Sequence, residues 1–296
     1  MKKKILALVL ATTLVFTLVG CGTKEPASNP AKEPTKAPAT AAPTKPAATT
    51  APTKAAIDLS GVKLMNEGTL TVGVEIGYPP FEDFAEDGTT PVGYDIDFAT
   101  AVAKKLGLKV KFINTAWDGI FEGIDKNYDV VISAVTITNE RKATMIFSDP
   151  YINNYQAVVV GPNFKNKITS FKDLDGLTIA VQKETTSDVL MSNYKDTKTI
   201  KLTMSQNEKV TTCFTQLENG EVDAVVVDST VADGYLAKDP TKYIKAFQDD
   251  SEPEQFGVAI GKQNTALQTS VNKAVAALKE EGFIDDNYAH WFKAAK

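Results

Sequence analysis

The sequence is poor in the residues on which several protein classes depend. Its 296 residues include only 2 cysteines and 1 histidine, so no metal site built from these ligands is expected. The net charge of −5 is mildly acidic, and there is no basic patch of the kind that nucleic-acid phosphates require. A Gly-rich phosphate loop of the expected form is also missing. These absences predict a protein without a metal, a cofactor or a nucleic-acid partner.

Only one hydrophobic run is long, and it lies at the N-terminus. A basic start at residues 2–4 precedes an apolar stretch over residues 5–19. That stretch is short for a spanning helix, which needs about 20 apolar residues. A basic start, a short apolar core and small residues at its end describe an export signal. We therefore predict a cleaved signal peptide over residues 1–20 in preference to an uncleaved membrane anchor.

The signal ends in Leu-Val-Gly-Cys, residues 18–21, which resembles the lipobox of bacterial lipoproteins. The resemblance implies that Cys21 becomes the first mature residue and carries lipid (palmitate) on its sulfur. Cys213 then has no cysteine with which to pair. It shares one helical face with three apolar neighbours, which predicts a small buried residue rather than a reactive thiol.

Residues 21–56 are dominated by Pro, Ala, Thr and Lys, with Pro-Thr-Lys at 34–36, 43–45 and 52–54. Such a composition cannot bury a core, so a disordered linker is predicted. Proline-rich chain extends by about 3.1 Å per residue, which gives a reach on the order of 100 Å. We interpret this segment as a tether between a lipid-anchored Cys21 and a folded domain.

The composition becomes globular from residue 57. About 240 residues remain, more than the roughly 100–150 of a typical domain, and strand-like runs alternate with helical periodicity, which indicates an α/β architecture. The order of elements around residues 70–74 and 121–132 recurs around 177–181 and 214–227. This recurrence predicts two similar lobes.

The most informative stretch is Ser-Ala-Val-Thr-Ile-Thr-Asn-Glu-Arg, residues 133–141, which follows the apolar run at 129–132. It supplies a hydroxyl, Thr136, and then Arg141 in what is predicted as the first turn of a helix. Open α/β sheets bind ligands at such strand ends, and the guanidinium fork matches the two oxygens of a carboxylate. The stretch predicts a pocket for a small molecule that bears a carboxylate.

A series of motifs across the mature chain resembles the amino-acid-binding lipoproteins of ATP-binding-cassette importers, which belong to the extracellular solute-binding superfamily. The motifs occur in order at residues 77–82, 92–97, 117–119, 133–141, 147–151, 173–176, 185–188 and 223–228. The resemblance implies a periplasmic-binding-protein-like type II fold, in which two crossover segments join the lobes. We place these crossovers near 156–160 and 256–260. Lobe 1 is then expected over residues 57–156 plus 257–296, and lobe 2 over 157–256.

The resemblance also implies roles for particular residues. Arg141 would bind the α-carboxylate of an amino acid, assisted by backbone N–H groups near Thr185 and Thr186, since helix starts attract anions. Asp228 would bind the α-ammonium, together with Thr136 and the main-chain carbonyl of Ser133. Two alternatives stay open: Asp228 as an ordinary helix N-cap, and Thr185 with an acid three residues later as a capping box.

Further positions would contact the ligand side chain. Tyr78 and Trp117 would stack on it from the two sides of the lobe 1 mouth, with core packing as the alternative for each. Glu75 follows the first strand and would lie at the distal end of the ligand, which favours arginine, lysine, ornithine or another polar amino acid, with cystine and glutamine still open. One position departs from the family pattern, because Glu184 stands where glycine usually precedes the Thr-Thr pair. Glycine allows positive φ, so the geometry of this loop is in question.

The expected function is capture of an amino acid by lobe closure and its delivery to a permease, without enzymatic turnover. The protein would be a monomer on the extracellular face of the membrane, on a Gram-positive-type cell surface, or in the periplasm of a Gram-negative cell. The alternatives are a dehydratase-type enzyme on the same fold and a sensory or adhesive surface lipoprotein. An enzyme needs an acid or base with an activating partner, and none is visible for Glu75 or Glu184, while His290 beside Trp291 is interpreted as structural.

Overall fold

The computed structural model describes residues 56–292. The predicted signal peptide, the lipidation of Cys21 and nearly all of the predicted linker lie outside the described residues, as do residues 293–296. Within the described range no helix has the length and apolar character needed to cross a bilayer.

Fourteen strands and seven α-helices alternate through this range. The strands are β1 (Thr69–Val74), β2 (Asp83–Phe84), β3 (Pro91–Val92), β4 (Lys109–Asn114), β5 (Val130–Val131), β6 (Met145–Phe147), β7 (Ile152–Asn154), β8 (Gln156–Val160), β9 (Thr178–Gln182), β10 (Thr203–Asn207), β11 (Ala224–Asp228), β12 (Ile244–Gln248), β13 (Glu254–Phe256) and β14 (Ala259–Gly261). The helices are α1 (Tyr94–Lys105), α2 (Asn139–Thr144), α3 (Thr186–Asp196), α4 (Val210–Glu218), α5 (Ser229–Lys238), α6 (Thr265–Glu280) and α7 (Phe283–Phe292), with 3₁₀ turns at Ile120–Gly123 and Phe171–Leu174.

The strands form two five-stranded sheets built on one plan. The first sheet has the order β4-β1-β5-β14-β6 and the second the order β10-β9-β11-β8-β12. In each, the first three strands and the fifth run in one direction, and only the fourth strand is antiparallel to its neighbours. This arrangement confirms the predicted α/β class with two similar lobes.

The chain passes between the two sheets twice, through β7 and β13. These short strands pair with each other in antiparallel register, with Asn154 opposite Glu254 and Ile152 opposite Phe256. Both crossings therefore lie side by side and form a two-stranded hinge. The proposed division into residues 57–156 with 257–296 and residues 157–256 divides the chain close to this pair, and we retain it as a proposal.

The crossovers lie a few residues before the positions predicted from sequence. All of Gln156–Val160 is a buried strand of the second sheet, and residues 256–260, the other predicted crossover, are divided between β13 and β14. The reason is burial, because an uninterrupted apolar run suits a strand covered on both faces and not a crossover at the surface. In residues 117–124 the helical part is only the 3₁₀ turn Ile120–Gly123, preceded by Gly119 with a φ of 80°.

The helices pack their apolar faces on the sheets. The predicted face of α4 is buried, with Cys213 fully inaccessible and free of any disulfide within residues 56–292. Burial raises the pKa of this thiol to about 12, so Cys213 stays protonated and serves as a core residue, as predicted. His290 lies on the exposed side of α7 with its ring against Trp291.

Candidate ligand-binding site

A small cavity lies between the two lobes at the carboxyl ends of their parallel strands. Its free volume of about 10 Å³ is room for about one water molecule, so the side chains of the two lobes nearly fill it. Its lining consists of Glu75, Tyr78, Trp117, Ser133, Ala134, Thr136, Arg141, Gln182, Thr185, Thr186 and Asp228. All nine ligand-binding residues predicted from sequence are therefore brought together around one space, while their contacts with a ligand stay a prediction.

Arg141 is held in place on the lobe 1 side of this cavity. Its guanidinium Nη1 donates a hydrogen bond of 2.9 Å to the carbonyl of Thr136, and its Cζ lies 5.3 Å and 5.1 Å from the ring centroids of Trp117 and Phe121. Burial lowers the pKa of Arg141, and the charges of Asp228 and Glu254 oppose that shift. The group stays cationic, and one carbonyl bond leaves several of its five donors for an anion.

The local backbone explains the position of the Arg141 side chain at the cavity. Thr138 is the N-cap of the short helix α2, and its hydroxyl accepts a hydrogen bond of 3.2 Å from the backbone N–H of Arg141. This bond places Arg141 in the first turn, directly beside the preceding loop. It is the only arginine in the 296-residue sequence, so the cleft has no second guanidinium.

Asp228 lies on the lobe 2 side, at the end of β11. Its position is the N-cap of α5, yet its side chain makes no cap hydrogen bond. The carboxylate instead accepts hydrogen bonds from the hydroxyl of Tyr78, from Nδ2 of Asn154 at 2.6 Å and from Nε2 of Gln156 at 3.0 Å. The backbone of Asp228 thus occupies an N-cap position, as in the alternative interpretation. Its carboxylate takes no part in capping and lines the cavity.

The environment of Asp228 favours its neutral form. Burial, followed by the charge of Glu254, raises its pKa to about 7, and the hydrogen bonds from Tyr78, Asn154 and Gln156 oppose the increase. A cation placed beside Asp228 would restore the ionised form, because an opposite charge within hydrogen-bonding reach stabilises it. An ammonium group has the required charge and three donors.

On another part of the cavity wall, Glu75 of lobe 1 contacts Gln182 of lobe 2. Nε2 of Gln182 donates to both carboxylate oxygens of Glu75, at 3.0 Å and 2.8 Å. Burial raises the pKa of Glu75 to about 7. Oε1 of Gln182 is buried and has no hydrogen-bond partner in the described chain. This part of the cavity wall is therefore lined by acceptors and suits a ligand group rich in donors.

Gln182 was not among the residues predicted from sequence, although the internal repeat contains the signal. Residues 177–181 repeat the pattern of 70–74, so Gln182 occupies in lobe 2 the position that Glu75 occupies in lobe 1. Each side chain follows the apolar core of a central parallel strand.

Two aromatic side chains form further walls of the cavity. Tyr78 is 7% exposed and Trp117 is 8% exposed. Both side chains are therefore more buried than is expected of residues at the mouth of a lobe. The Tyr78 hydroxyl crosses the cleft to Asp228, and Trp117 packs on the guanidinium of Arg141. Both line the cavity, and each also orients one of its charged groups.

The start of α3 supplies the backbone donors of lobe 2. Thr185 is the N-cap, and its hydroxyl accepts from the N–H of Asp188 at 3.2 Å. The first N–H groups of a helix have no acceptor within the helix, so those of Thr186 and its successor are available to an anion. The carboxylate of Asp188 accepts from the N–H of Glu184 at 3.0 Å, not from that of Thr185, so only half of a capping box is present.

Glu184 adopts the backbone conformation for which glycine is usually required. Its φ is 60°, in the left-handed region that side chains seldom occupy. The departure from the family pattern therefore leaves the loop geometry in place at some cost in strain. The Glu184 side chain lines a neighbouring groove and not the cavity, so it adds no second acid to the cavity wall.

The hinge contributes an acid that the sequence did not reveal. Glu254 of β13 accepts hydrogen bonds of 3.3 Å from the hydroxyls of both Thr136 and Thr186. It also accepts from Asn154 and Gln156 at 3.2 Å. A residue of the hinge thereby connects a threonine of lobe 1 with a threonine of lobe 2.

The lobes also touch where Pro80 packs on helix α5. A Cβ built on Gly234 would lie 2.5 Å from Cδ of Pro80, well below any normal contact. A Lys209 Nζ to Ile76 carbonyl bond of 3.3 Å adds a polar contact between the lobes. The two lobes can lie this close together only because residue 234 is a glycine and has no side chain.

Comparison with known proteins places this geometry in a family. The model of the bacterial extracellular solute-binding proteins, family 3, matches residues 70–294. The chain belongs to this family. Its fold is likewise that of an ancestral arginine-binding protein bound to arginine, with 38% identity, a TM-score of 0.71 and coverage of 76% of this chain and 98% of that chain.

Characterised relatives define the function more closely. The chain is 32% identical over 229 residues to ABC transporter arginine-binding protein 1 of Escherichia coli K12, which covers 75% of this chain and 90% of that protein. It is 33% identical over 236 residues to the L-cystine-binding protein TcyA of Bacillus subtilis 168, with coverage of 77% and 83%. The chain is thus an amino-acid-binding component of an ABC transporter and not an enzyme.

The close contact at Gly234 predicts that one substitution raises the stability of the protein and lowers its amino-acid affinity. Gly234→Ala adds a good helix former inside α5, which should raise the free energy of unfolding by up to about 1 kcal/mol. The same methyl group would separate the lobes and weaken amino-acid affinity. Urea denaturation and isothermal titration calorimetry measure the two effects.

Gly161→Ala is the matched control, because a Cβ there meets no atom within 4 Å, and its affinity should equal that of the wild type. Unchanged affinity of Gly234→Ala would show that closure does not depend on this contact.

Proposed function

We propose that the chain captures a polar L-amino acid, with a preference for a basic one, and delivers it to the permease of its ABC importer. The observation that carries the proposal is one cavity lined by the cation Arg141 of lobe 1, the carboxylate Asp228 of lobe 2 and a second carboxylate, Glu75. Three charged positions match the α-carboxylate, the α-ammonium and a cationic side chain.

Recognition of the α-groups follows from their charges. The guanidinium of Arg141 and the N–H groups at the start of α3 would bind the carboxylate. Asp228 would bind the ammonium, with the Thr136 hydroxyl and the Ser133 carbonyl as further acceptors. Burial of a zwitterion is costly unless both charges are paired, so the site needs partners from both lobes.

Selection of the side chain is assigned to Glu75 and Gln182. Glu75 offers a carboxylate and Gln182 an amide oxygen without a partner, so a guanidinium or ammonium group would satisfy both. The named relatives include binders of arginine and of cystine, and arginine, lysine and ornithine fit the acceptors best. Tyr78 and Trp117 would cover the aliphatic part of such a ligand.

Binding would close the lobes about the hinge of β7 and β13. Lobe 1 presents Arg141, Tyr78 and Trp117 first, and lobe 2 then brings Asp228 and Thr186 to the same molecule. A ligand that contacts both lobes favours the closed form through its differential affinity. The closed monomer would be the form that the permease receives.

The protein is proposed to work from the outer face of the membrane. The signal over residues 1–20 would direct export, lipid on Cys21 would anchor the chain, and the linker up to residue 56 would let the binding domain reach the permease. The composition of these segments supports the proposal.

Arg141→Ala should weaken amino-acid affinity by at least about 30-fold, the lower end of the cost of removing one partner of a buried charge pair. Calorimetry with L-arginine, or with whichever amino acid gives the largest thermal shift, measures the change. Lys142→Ala removes an exposed charge from the same helix and should bind as the wild type does. Equal affinities of the two variants would contradict the assigned role.

Glu75→Gln tests ligand identity through pH. The pKa of about 7 means that Glu75 is largely protonated below neutral pH, whereas a cationic side chain needs it ionised. Affinity for L-arginine relative to L-glutamine should therefore fall as the pH decreases below about 7, by up to about tenfold per unit. The ratio cancels the titration of Asp228, which affects both ligands alike.

In Glu75→Gln the ratio should be small and independent of pH. A wild-type ratio that does not change with pH would argue against a basic ligand.

Cys21→Ala should abolish both incorporation of labelled palmitate and recovery of the protein in the membrane fraction of a bacterial host, because no other group of the chain is assigned an acyl link. Cys213→Ala is the control, and it should retain label and membrane location. Label that persists in Cys21→Ala would refute the anchor.

A further inference from the structure

Two carboxyl groups are buried beneath the cavity in lobe 1. Glu82 and Asp95 are both fully inaccessible to solvent. The backbone N–H of Asp95 donates to the carbonyl of Phe81 at 2.9 Å, which places the start of α1 against the residue that precedes Glu82. The mechanism proposed above uses neither of these acids.

Each acid holds one of two consecutive residues of the cavity wall. The Ser133 hydroxyl donates to Oε1 of Glu82 and accepts from the N–H of Glu75 at 3.0 Å. The N–H of Ala134 donates to Oδ2 of Asp95 at 2.6 Å. Ala134 has a φ of 46°, a strained conformation for a non-glycine residue that persists only where its surroundings enforce it, and the bond to Asp95 fixes its N–H.

The second oxygen of each acid has no partner. Oε2 of Glu82 and Oδ1 of Asp95 are buried without a hydrogen bond in the described chain. The hydroxyl of Tyr151 donates to the already used Oδ2 of Asp95 at 3.0 Å. Two ionised carboxylates in this position would be strongly unfavourable.

No basic group compensates the pair within residues 56–292. The ionisable groups that act on Glu82 and Asp95 are the two acids themselves, Glu75 and nearby tyrosines (Tyr78, Tyr94 and Tyr151). Burial and the charge of Asp95 raise the pKa of Glu82 well above its ordinary value, and burial raises that of Asp95 to about 7. The direction of both shifts agrees with a shared proton, which resides on Glu82.

We propose that Glu82 and Asp95 share one proton and, as a neutral acid beside a carboxylate, position Ser133 and Ala134 for amino-acid binding. The un-ionised Glu82 donates from Oε2 to Oδ1 of Asp95, and its Oε1 accepts from Ser133. Asp95 then accepts from Glu82, from Ala134 and from Tyr151. Both are positioning residues that act through the cavity wall, and the inference rests on the proposed function of that cavity.

Amide variants imitate the shared-proton state. In Glu82→Gln, the amide oxygen accepts from Ser133 and the NH₂ group donates to Asp95 at every pH. In Asp95→Asn, the NH₂ group donates to Glu82, and the amide oxygen accepts from the N–H of Ala134 and the hydroxyl of Tyr151. In the double variant both NH₂ groups face each other, so a buried donor loses its acceptor.

Calorimetry with L-arginine and L-cystine should therefore give near wild-type affinities for each single variant and a loss of about tenfold or more for the double variant. Glu86→Gln removes an exposed charge from the same segment and should change nothing. The proposal would be overturned if a single amide variant bound the amino acids as weakly as Glu82→Ala does. It would also be overturned if the double variant bound them as tightly as the single variants.

Urea unfolding tests the shared proton of Glu82 and Asp95 without any ligand. Groups whose pKa is raised on folding stabilise the protein fully at low pH, and this contribution is lost as the pH rises through the folded value. Relative to that of Glu82→Gln, the wild-type urea midpoint should therefore decrease as the pH rises above about 4.3, the ordinary pKa of a glutamate, toward the raised pKa of Glu82 in the folded protein. Parallel profiles would refute the shared proton. If the wild type bound no amino acid, the proposed function would fail, and this unfolding profile would still test the shared proton independently.

Discussion

The site depends on one arrangement of charge, a guanidinium on one lobe opposed to a buried carboxylate on the other. Arg141 is fixed by a carbonyl and two aromatic rings, and Asp228 by Tyr78 and two neutral amides. Neither group forms a salt bridge within residues 56–292. Each charged group is thus oriented by neutral donors and acceptors, and the proposed zwitterionic ligand would pair with both.

The fold makes this opposition possible because both sheets point the carboxyl ends of their parallel strands at the same space. The crossing strands then connect the two halves of the site directly. Asn154 of β7 donates to both Asp228 and Glu254, and Glu254 of β13 reaches threonines of both lobes. The hinge is therefore part of the hydrogen-bond network around the cavity, which is how the proposed closure would be coupled to binding.

Much of this arrangement could be predicted from sequence, because strand ends and helix starts carry recognisable residues. The residues from Ser133 to Arg141 follow a buried strand, and Asp228 ends another. The misplaced crossovers had a physical cause, since the apolar run 157–160 is equally consistent with a hinge core and a central strand. Glu254 could not be found, because an acid in the acidic segment 249–254 resembles an ordinary solvated loop until the hinge strands pair. The sharing of a proton by Glu82 and Asp95 likewise depends on contacts between distant segments.

The meeting of Glu75 and Gln182 has a consequence for the evolution of the family. The two residues hold equivalent positions in the two repeats, and they touch only because the lobes face each other. Under the proposed roles, a substitution at either position would alter which side chains the cavity accepts without changing Arg141 and Asp228. The duplicated architecture would thus give selection two separate places at which to change the ligand; relatives at about one-third identity are named for arginine and for cystine.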